Sequence, residues 1–126
     1  MNPLFRAIVI DDEPAARRLM KNLLEEHIEI VEVIDEAGNG GEAIRKIEEL
    51  KPDLITLDNI LPDMIGTDIL KVLKQDEGID SKVIMISAVG QESVIQEGMS
   101  LGASDYIVKP FTTEGLVCTV NKVMTA

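Results

Sequence analysis

A chain of 126 residues with 45% hydrophobic side chains has enough apolar material for one domain with one core, which excludes a disordered tail. Its net charge of −11 argues against nucleic-acid binding and against docking on anionic lipid, since both need a basic surface. With no signal peptide and no apolar stretch of about 18 residues, the expected compartment is the cytoplasm and no membrane partner is expected.

The first apolar run, Arg6-Ala7-Ile8-Val9-Ile10, reads as a strand and ends in Asp11-Asp12. Pro14 then suits the first turn of a helix, and Ala16, Leu19, Met20, Leu23 and Leu24 keep the spacing of one apolar stripe. His27, the sole histidine, falls at that helix's end, where a cation suits the dipole; alone it cannot build a histidine-rich zinc site. Ile30-Val31-Glu32-Val33-Ile34 reads as a second strand. Asn39-Gly40-Gly41 signals a turn, Ala43, Ile44, Ile47 and Leu50 mark a second helix, and Lys51-Pro52 stops it.

The third strand, Asp53-Leu54-Ile55-Thr56-Leu57, runs into Asp58, and a third helix follows Gly66 with Ile69, Leu70 and Leu73 as its stripe. Lys82-Val83-Ile84-Met85-Ile86 runs into Ser87, and a fourth helix spans about Gln91 to Leu101, with Gly102 as its C′ glycine. The fifth run, Ser104-Asp105-Tyr106-Ile107-Val108, ends in Lys109-Pro110. The last helix carries Leu116, Val117, Val120, Val123 and Met124. Cys118, the sole cysteine, lies in this pattern and is expected to be a small buried hydrophobe.

Five strand–helix units in alternation imply an α/β fold, a doubly wound parallel sheet with right-handed crossovers. Strand tips then share the carboxyl edge, where such sheets bind ligands. Asp11, Asp12, Asp58, Ser87 and Lys109 would meet there. Carboxylates about 4 Å apart repel by roughly 1 to 4 kcal/mol per pair, so three together call for a cation. Mg2+ prefers oxygen ligands and suits one or two carboxylates plus solvent and phosphate oxygens. Asp11 and Asp12 could instead merely cap the first helix, but one cap carboxylate would suffice, and Asp58 sits at another tip. Asp58 is the candidate nucleophile towards phosphorus, with the cation and Lys109 neutralising the transferring group and Ser87 donating a hydrogen bond to it. The plainer readings are a backbone-bonded strand-end hydroxyl for Ser87 and a surface ammonium for Lys109.

Ile10-Asp11-Asp12-Glu13-Pro14, Leu57-Asp58 followed by Leu61-Pro62-Asp63-Met64-Ile65-Gly66, Ser87-Ala88, and Gly102-Ala103 through Lys109-Pro110-Phe111 resemble the receiver domain of two-component response regulators. The resemblance runs from about Arg6 to Met124 and implies the flavodoxin/CheY-like class with a five-stranded sheet in the order 2-1-3-4-5. It gives Asp58 as phosphoacceptor, Asp12 and Asp58 as direct Mg2+ ligands, Asp11 as a ligand through water, and Ile60 as a backbone-carbonyl ligand. It gives Ser87 as switch hydroxyl, Tyr106 as switch aromatic, Lys109 as phosphate-binding lysine, and a cis Lys109-Pro110 bond. It also places Ile60 and Val89 beside the water that hydrolyses the acyl-phosphate. Ile65 and Asn59 depart from the common pattern, at no cost to the chemistry.

The expected function is that of a single receiver domain, 1–126, not an enzyme beyond self-catalysed phosphotransfer and autodephosphorylation. A sensor histidine kinase or small phosphodonor charges Asp58, and partner binding switches through the fourth helix, fifth strand and fifth helix. Ser87 to Gln91 resembles some chemotaxis receivers, which bind the flagellar motor switch; a phosphorelay carrier working with a phosphotransfer protein, or a receiver trimmed from a larger regulator, stays open. A haloacid-dehalogenase-type phosphatase needs an acid where Ile60 stands, and an FMN carrier needs a hydroxyl- and glycine-rich loop where Asp11-Asp12-Glu13-Pro14 stands.

Overall fold

The computed structural model describes residues 4–125. Its elements alternate throughout: β1 (Phe5–Ile10), α1 (Pro14–His27), β2 (Val31–Ala37), α2 (Gly40–Leu50), β3 (Leu54–Asp58), α3 (Gly66–Lys74), β4 (Lys82–Ala88), α4 (Glu92–Ser100), β5 (Asp105–Lys109) and α5 (Thr113–Thr125). The strands form one parallel sheet in the order β2-β1-β3-β4-β5.

Successive strand residues point to opposite faces, so each strand feeds two cores. Ile8, Ile10, Ile55, Leu57, Val83 and Met85 pack with α2 and α3 through Ala43, Ile47, Ile69 and Leu70. Ala7, Val9, Leu54, Ile84, Ile86 and Ile107 pack with α1 and α5 through Met20, Leu24, Leu116 and Val120. Because both faces are covered, the central strands are nearly continuous apolar runs and lack the alternation of a half-solvated sheet. Pro14 opens α1 and His27 closes it. Lys51 ends α2 in the left-handed region at φ 47°, and Gly102, at φ +106°, follows the α4 C-cap residue Leu101, a turn a side chain would strain.

Three expectations need correction. β2 continues to Ala37, past the apolar run that ended at Ile34. The register shifts between Ala7 and Ile8, so that Ala7 faces Val33 and Ile8 faces Asp35. The bulge lets Asp35 and Glu36 stay in an edge strand, where Lys46 pairs with Asp35 at 2.9 Å and Arg17 with Glu36 at 3.1 Å. Leu19 is 57% exposed, because Met20 and Leu24 hold the buried line of α1 and Leu19 lies beside it. It borders a groove of about 590 Å3 between α1 and the chain that follows β5. Cys118 is exposed as well: Leu116 and Val120, four apart, define the buried face of α5, and a residue midway between them points away from the sheet.

Candidate functional site

The crevice lies at the carboxyl edge where β1, β3, β4 and β5 end. β1 and β3 are neighbours, while their continuing helices fall on opposite sheet faces, so the crevice opens between them. One carboxylate oxygen from each of Asp11, Asp12 and Asp58 lies within 4.8 Å of the other two. Asp12 is exposed, and Asp11 is buried. Asp11 accepts a hydrogen bond from the Glu13 N–H at 3.0 Å. Glu13, not either aspartate, is the N-cap residue of α1, and it makes no side-chain cap bond. Capping therefore leaves the pair of aspartates unexplained.

Lys109, the last residue of β5, reaches over this cluster. Its Nζ stands 3.7 Å from Asp11 Oδ2 and 3.9 Å from Asp58 Oδ1. The bond to Pro110 is cis. Burial pushes the Asp58 carboxyl up to about 6; Lys109 opposes the rise, Asp11 and Asp12 add to it, and the Ile60 N–H opposes it again. A carboxylate raised by burial and by like charge favours any cation that joins it.

Ser87 sits on β4 one residue beyond Ile86, which pairs with Asp58. It is fully buried, and its Oγ has no hydrogen-bond partner among the described residues. The reading of a hydroxyl satisfied by backbone therefore fails. An unpaired buried hydroxyl costs about 1–3 kcal/mol, which an arriving oxygen acceptor can relieve. Oxygen ligands clustered for a hard cation and a donor waiting for an anion fit Mg2+ together with a phosphoryl group. The Ile60 side chain is exposed at the rim, and its backbone bridges to Ile65. Tyr106 stays outside the crevice: it is 43% exposed and borders a cavity of about 240 Å3 with Ala88, Glu92, Ile95, Gln96 and Val108.

Some supporting residues gave no recognisable sign in the sequence. Arg17 donates from its guanidinium to the Asp11 carbonyl at 2.7 Å while paired with Glu36, which fixes the backbone beneath the acidic pair. Asn59 and Thr67 are buried, each with an oxygen that has no hydrogen-bond partner among the described residues. The Asn59 backbone lies so close to Gly66 that a Cβ there would meet it at 3.3 Å.

This is a parallel α/β domain with an acidic crevice and a lysine poised over it, the make-up of a phosphoryl-accepting signalling domain. The family model for the response regulator receiver domain matches residues 7–121, and the chain belongs to that family. It is 40% identical to the chemotaxis protein CheY of Thermotoga maritima over 94% of this chain and 96% of that one. It is 37% identical to CheY of Bacillus subtilis over 94% and 97%. The chemotaxis response regulator CheY4 of Vibrio cholerae superposes with a TM-score of 0.84 at 26% identity, covering 95% of this chain and 98% of that one. The expected class, order and family are thus observed. No helix among the described residues is long and apolar enough to cross a membrane.

Proposed function

We propose that this domain is a phosphoacceptor switch of the chemotaxis type, charged on Asp58 by a sensor histidine kinase or a small phosphodonor. The carrying observation is the meeting of three carboxylates, Lys109 and the unpartnered Ser87 hydroxyl at one sheet edge. Asp11, Asp12, Asp58 and the Ile60 carbonyl would hold Mg2+, which when bound neutralises charge on the transferring group.

Before a cation binds, the Asp58 carboxyl is raised to about 6 and is still mostly ionised at pH 7, so it is present as the carboxylate that both a cation and phosphorus require. The Asp58 oxygen attacks phosphorus; the new O–P bond forms as the bond to the donor breaks, and the electron pair leaves with the donor. Lys109 pairs with the developing negative oxygens, and the Ser87 O–H donates to one of them. The product adds about two negative charges. Its pull on Ser87 and Lys109 makes room on β4 and β5 for Tyr106 to turn from solvent into the cavity beside it. That rotation changes the surface of α4, β5 and α5, through which the partner is chosen. The two arrangements form an equilibrium that the phosphoryl group shifts. The rest of the chemistry is self-catalysed, and the working compartment is the cytoplasm.

The chemotaxis assignment rests on the near-full-length likeness to two CheY proteins, together with Ser87 to Gln91. It makes a flagellar motor-switch component the effector. A pull-down with and without beryllofluoride on Asp58 tests it: recovery of a histidine-containing phosphotransfer protein instead would indicate a relay carrier. Asp58 itself is tested by intact mass. Acetyl phosphate with Mg2+ should add one phosphoryl group, and Asp58→Asn should abolish the addition. Full labelling of that variant would sink the assignment.

The phosphorylated state should be long-lived. Ile60 is 56% exposed and Val89 is 74% exposed, and neither can hydrogen-bond a water in line with the acyl-phosphate. Replacing Ile60 with Asn and Val89 with Glu together should speed autodephosphorylation about tenfold or more, since positioning a water contributes on the order of 1–2 kcal/mol. Phosphate release after donor removal measures it. An unchanged rate would place control in the backbone geometry.

A further inference from the structure

The connection between β3 and α3 carries Ile60, whose carbonyl is a cation ligand under the proposed function, and the role inferred for Asp63 rests on that assignment. This loop is folded against itself. Ile60 and Ile65 form an antiparallel bridge, the Leu61 N–H donates to the Met64 carbonyl at 3.1 Å, and the Gly66 N–H donates to the Asn59 carbonyl at 2.6 Å. Its outer turn reaches a second element. The Gly40 N–H donates to Asp63 Oδ1 at 2.7 Å, and the Gly41 N–H donates to Asp63 Oδ2 at 2.9 Å. Met64 lies against Gly40 so closely that a Cβ there would run into its side chain, which explains glycine at that position.

α2 already has its own cap, since Asn39 Oδ1 accepts from the Glu42 N–H at 2.8 Å. The Asp63 carboxylate takes two of the N–H groups that the cap leaves open, those of Gly40 and Gly41. The Gly40 and Gly41 N–H groups hold the Asp63 carboxyl below the usual range. Both oxygens are thereby committed to backbone, and Asp63 is no member of the Asp11–Asp12–Asp58 cluster.

We propose that Asp63 is a positioning residue for the cation site: by bidentate anchorage on the start of α2 it fixes the β3–α3 loop, and with it the Ile60 carbonyl. Without that anchor the loop would keep its internal bridge but lose its tie to α2, and the cost of fixing its position on each binding event would weaken the site. Removing groups that orient metal ligands typically lowers affinity by about 10- to 100-fold.

The test is calorimetric titration of Mg2+ into the wild type, Asp63→Ala, Asp63→Asn and Asn39→Ala, at a temperature where circular dichroism shows each folded. Asn39→Ala weakens the same helix end without touching the loop. Asp63→Ala should raise the Mg2+ Kd about tenfold. Asp63→Asn, which keeps one acceptor oxygen, should raise it less, and Asn39→Ala should leave it within about twofold. Saturating Mg2+ should restore most of the acetyl-phosphate labelling rate in both Asp63 variants. Should Asp63→Ala not fold, the near-isosteric Asp63→Asn carries the comparison. Wild-type affinity in the Asp63 variants, or an equal loss in Asn39→Ala, would overturn the proposal. A wild type that binds no Mg2+ would instead remove the cation site itself, and this role of Asp63 with it.

Discussion

Replacing Asp58 with asparagine should make the metal-free protein more stable at pH 7, by about 3 kcal/mol. The folded carboxyl titrates at about 6, against 3.8 for the ordinary value. Between those two pH values the folded state binds more protons than the unfolded state, so stability falls as pH rises. The penalty is absent below the unfolded value, grows through the window from about pH 4 to 6, and is complete above it. Each pKa unit is worth about 1.4 kcal/mol, and roughly two units give that stabilisation. For a domain of this size that is a rise in Tm of roughly 10 °C. Thermal melts of the two proteins in chelator, taken from pH 4 to pH 7.5, measure it. The difference should shrink towards zero at the acid end. Parallel curves across that range would mean that Asp58 carries no such strain.

Mg2+ should relieve the same strain in the wild type. At a concentration a hundredfold above its Kd, a ligand that binds only the folded state adds about 2.7 kcal/mol. The gain should be largest near pH 7 and fade below pH 6, where protons compete for Asp58. Asp12→Ala should abolish it. Asp12 is solvent-exposed, so its removal relieves only a screened repulsion and raises metal-free stability slightly. The loss of metal response is therefore the telling readout, scored as the Tm difference with and without Mg2+. A variant that still gains the full shift would take Asp12 out of the cation site.

The strand-tip aspartates show why so much of the crevice was legible in the sequence. Asp11 and Asp58 each follow a nearly continuous apolar run, interrupted before Asp58 only by Thr56, and a run buried on both faces has few alternatives to a central parallel strand. Once the strands are parallel, their tips share one edge, and Ser87 and Lys109 join the carboxylates there without any detail of packing. What stayed hidden depends on contacts that no period records. The end of β2 was obscured because Asp35 and Glu36 look like loop residues until Lys46 and Arg17 neutralise them. Leu19 and Cys118 fit apolar spacings, yet each lies off the narrower line that its helix turns to the sheet. Asp63 reads as a loop residue like any other, because its two partners stand 22 and 23 positions away in the chain. Asn59 and Thr67 are polar residues whose burial no periodicity in the sequence marks.

Whether Asp58 is the acceptor is decided by locating the phosphoryl bond. After incubation with acetyl phosphate and Mg2+, borohydride reduces an acyl-phosphate to the corresponding alcohol and leaves free carboxylates and phosphate esters intact. Fragmentation mass spectrometry of the reduced protein then reads the modified position. Reduction is expected at Asp58 alone, and it should be lost when Mg2+ is chelated. Reduction at Asp11, Asp12 or Asp63, or a phosphoryl group that survives borohydride as an ester on Ser87, would contradict the assignment.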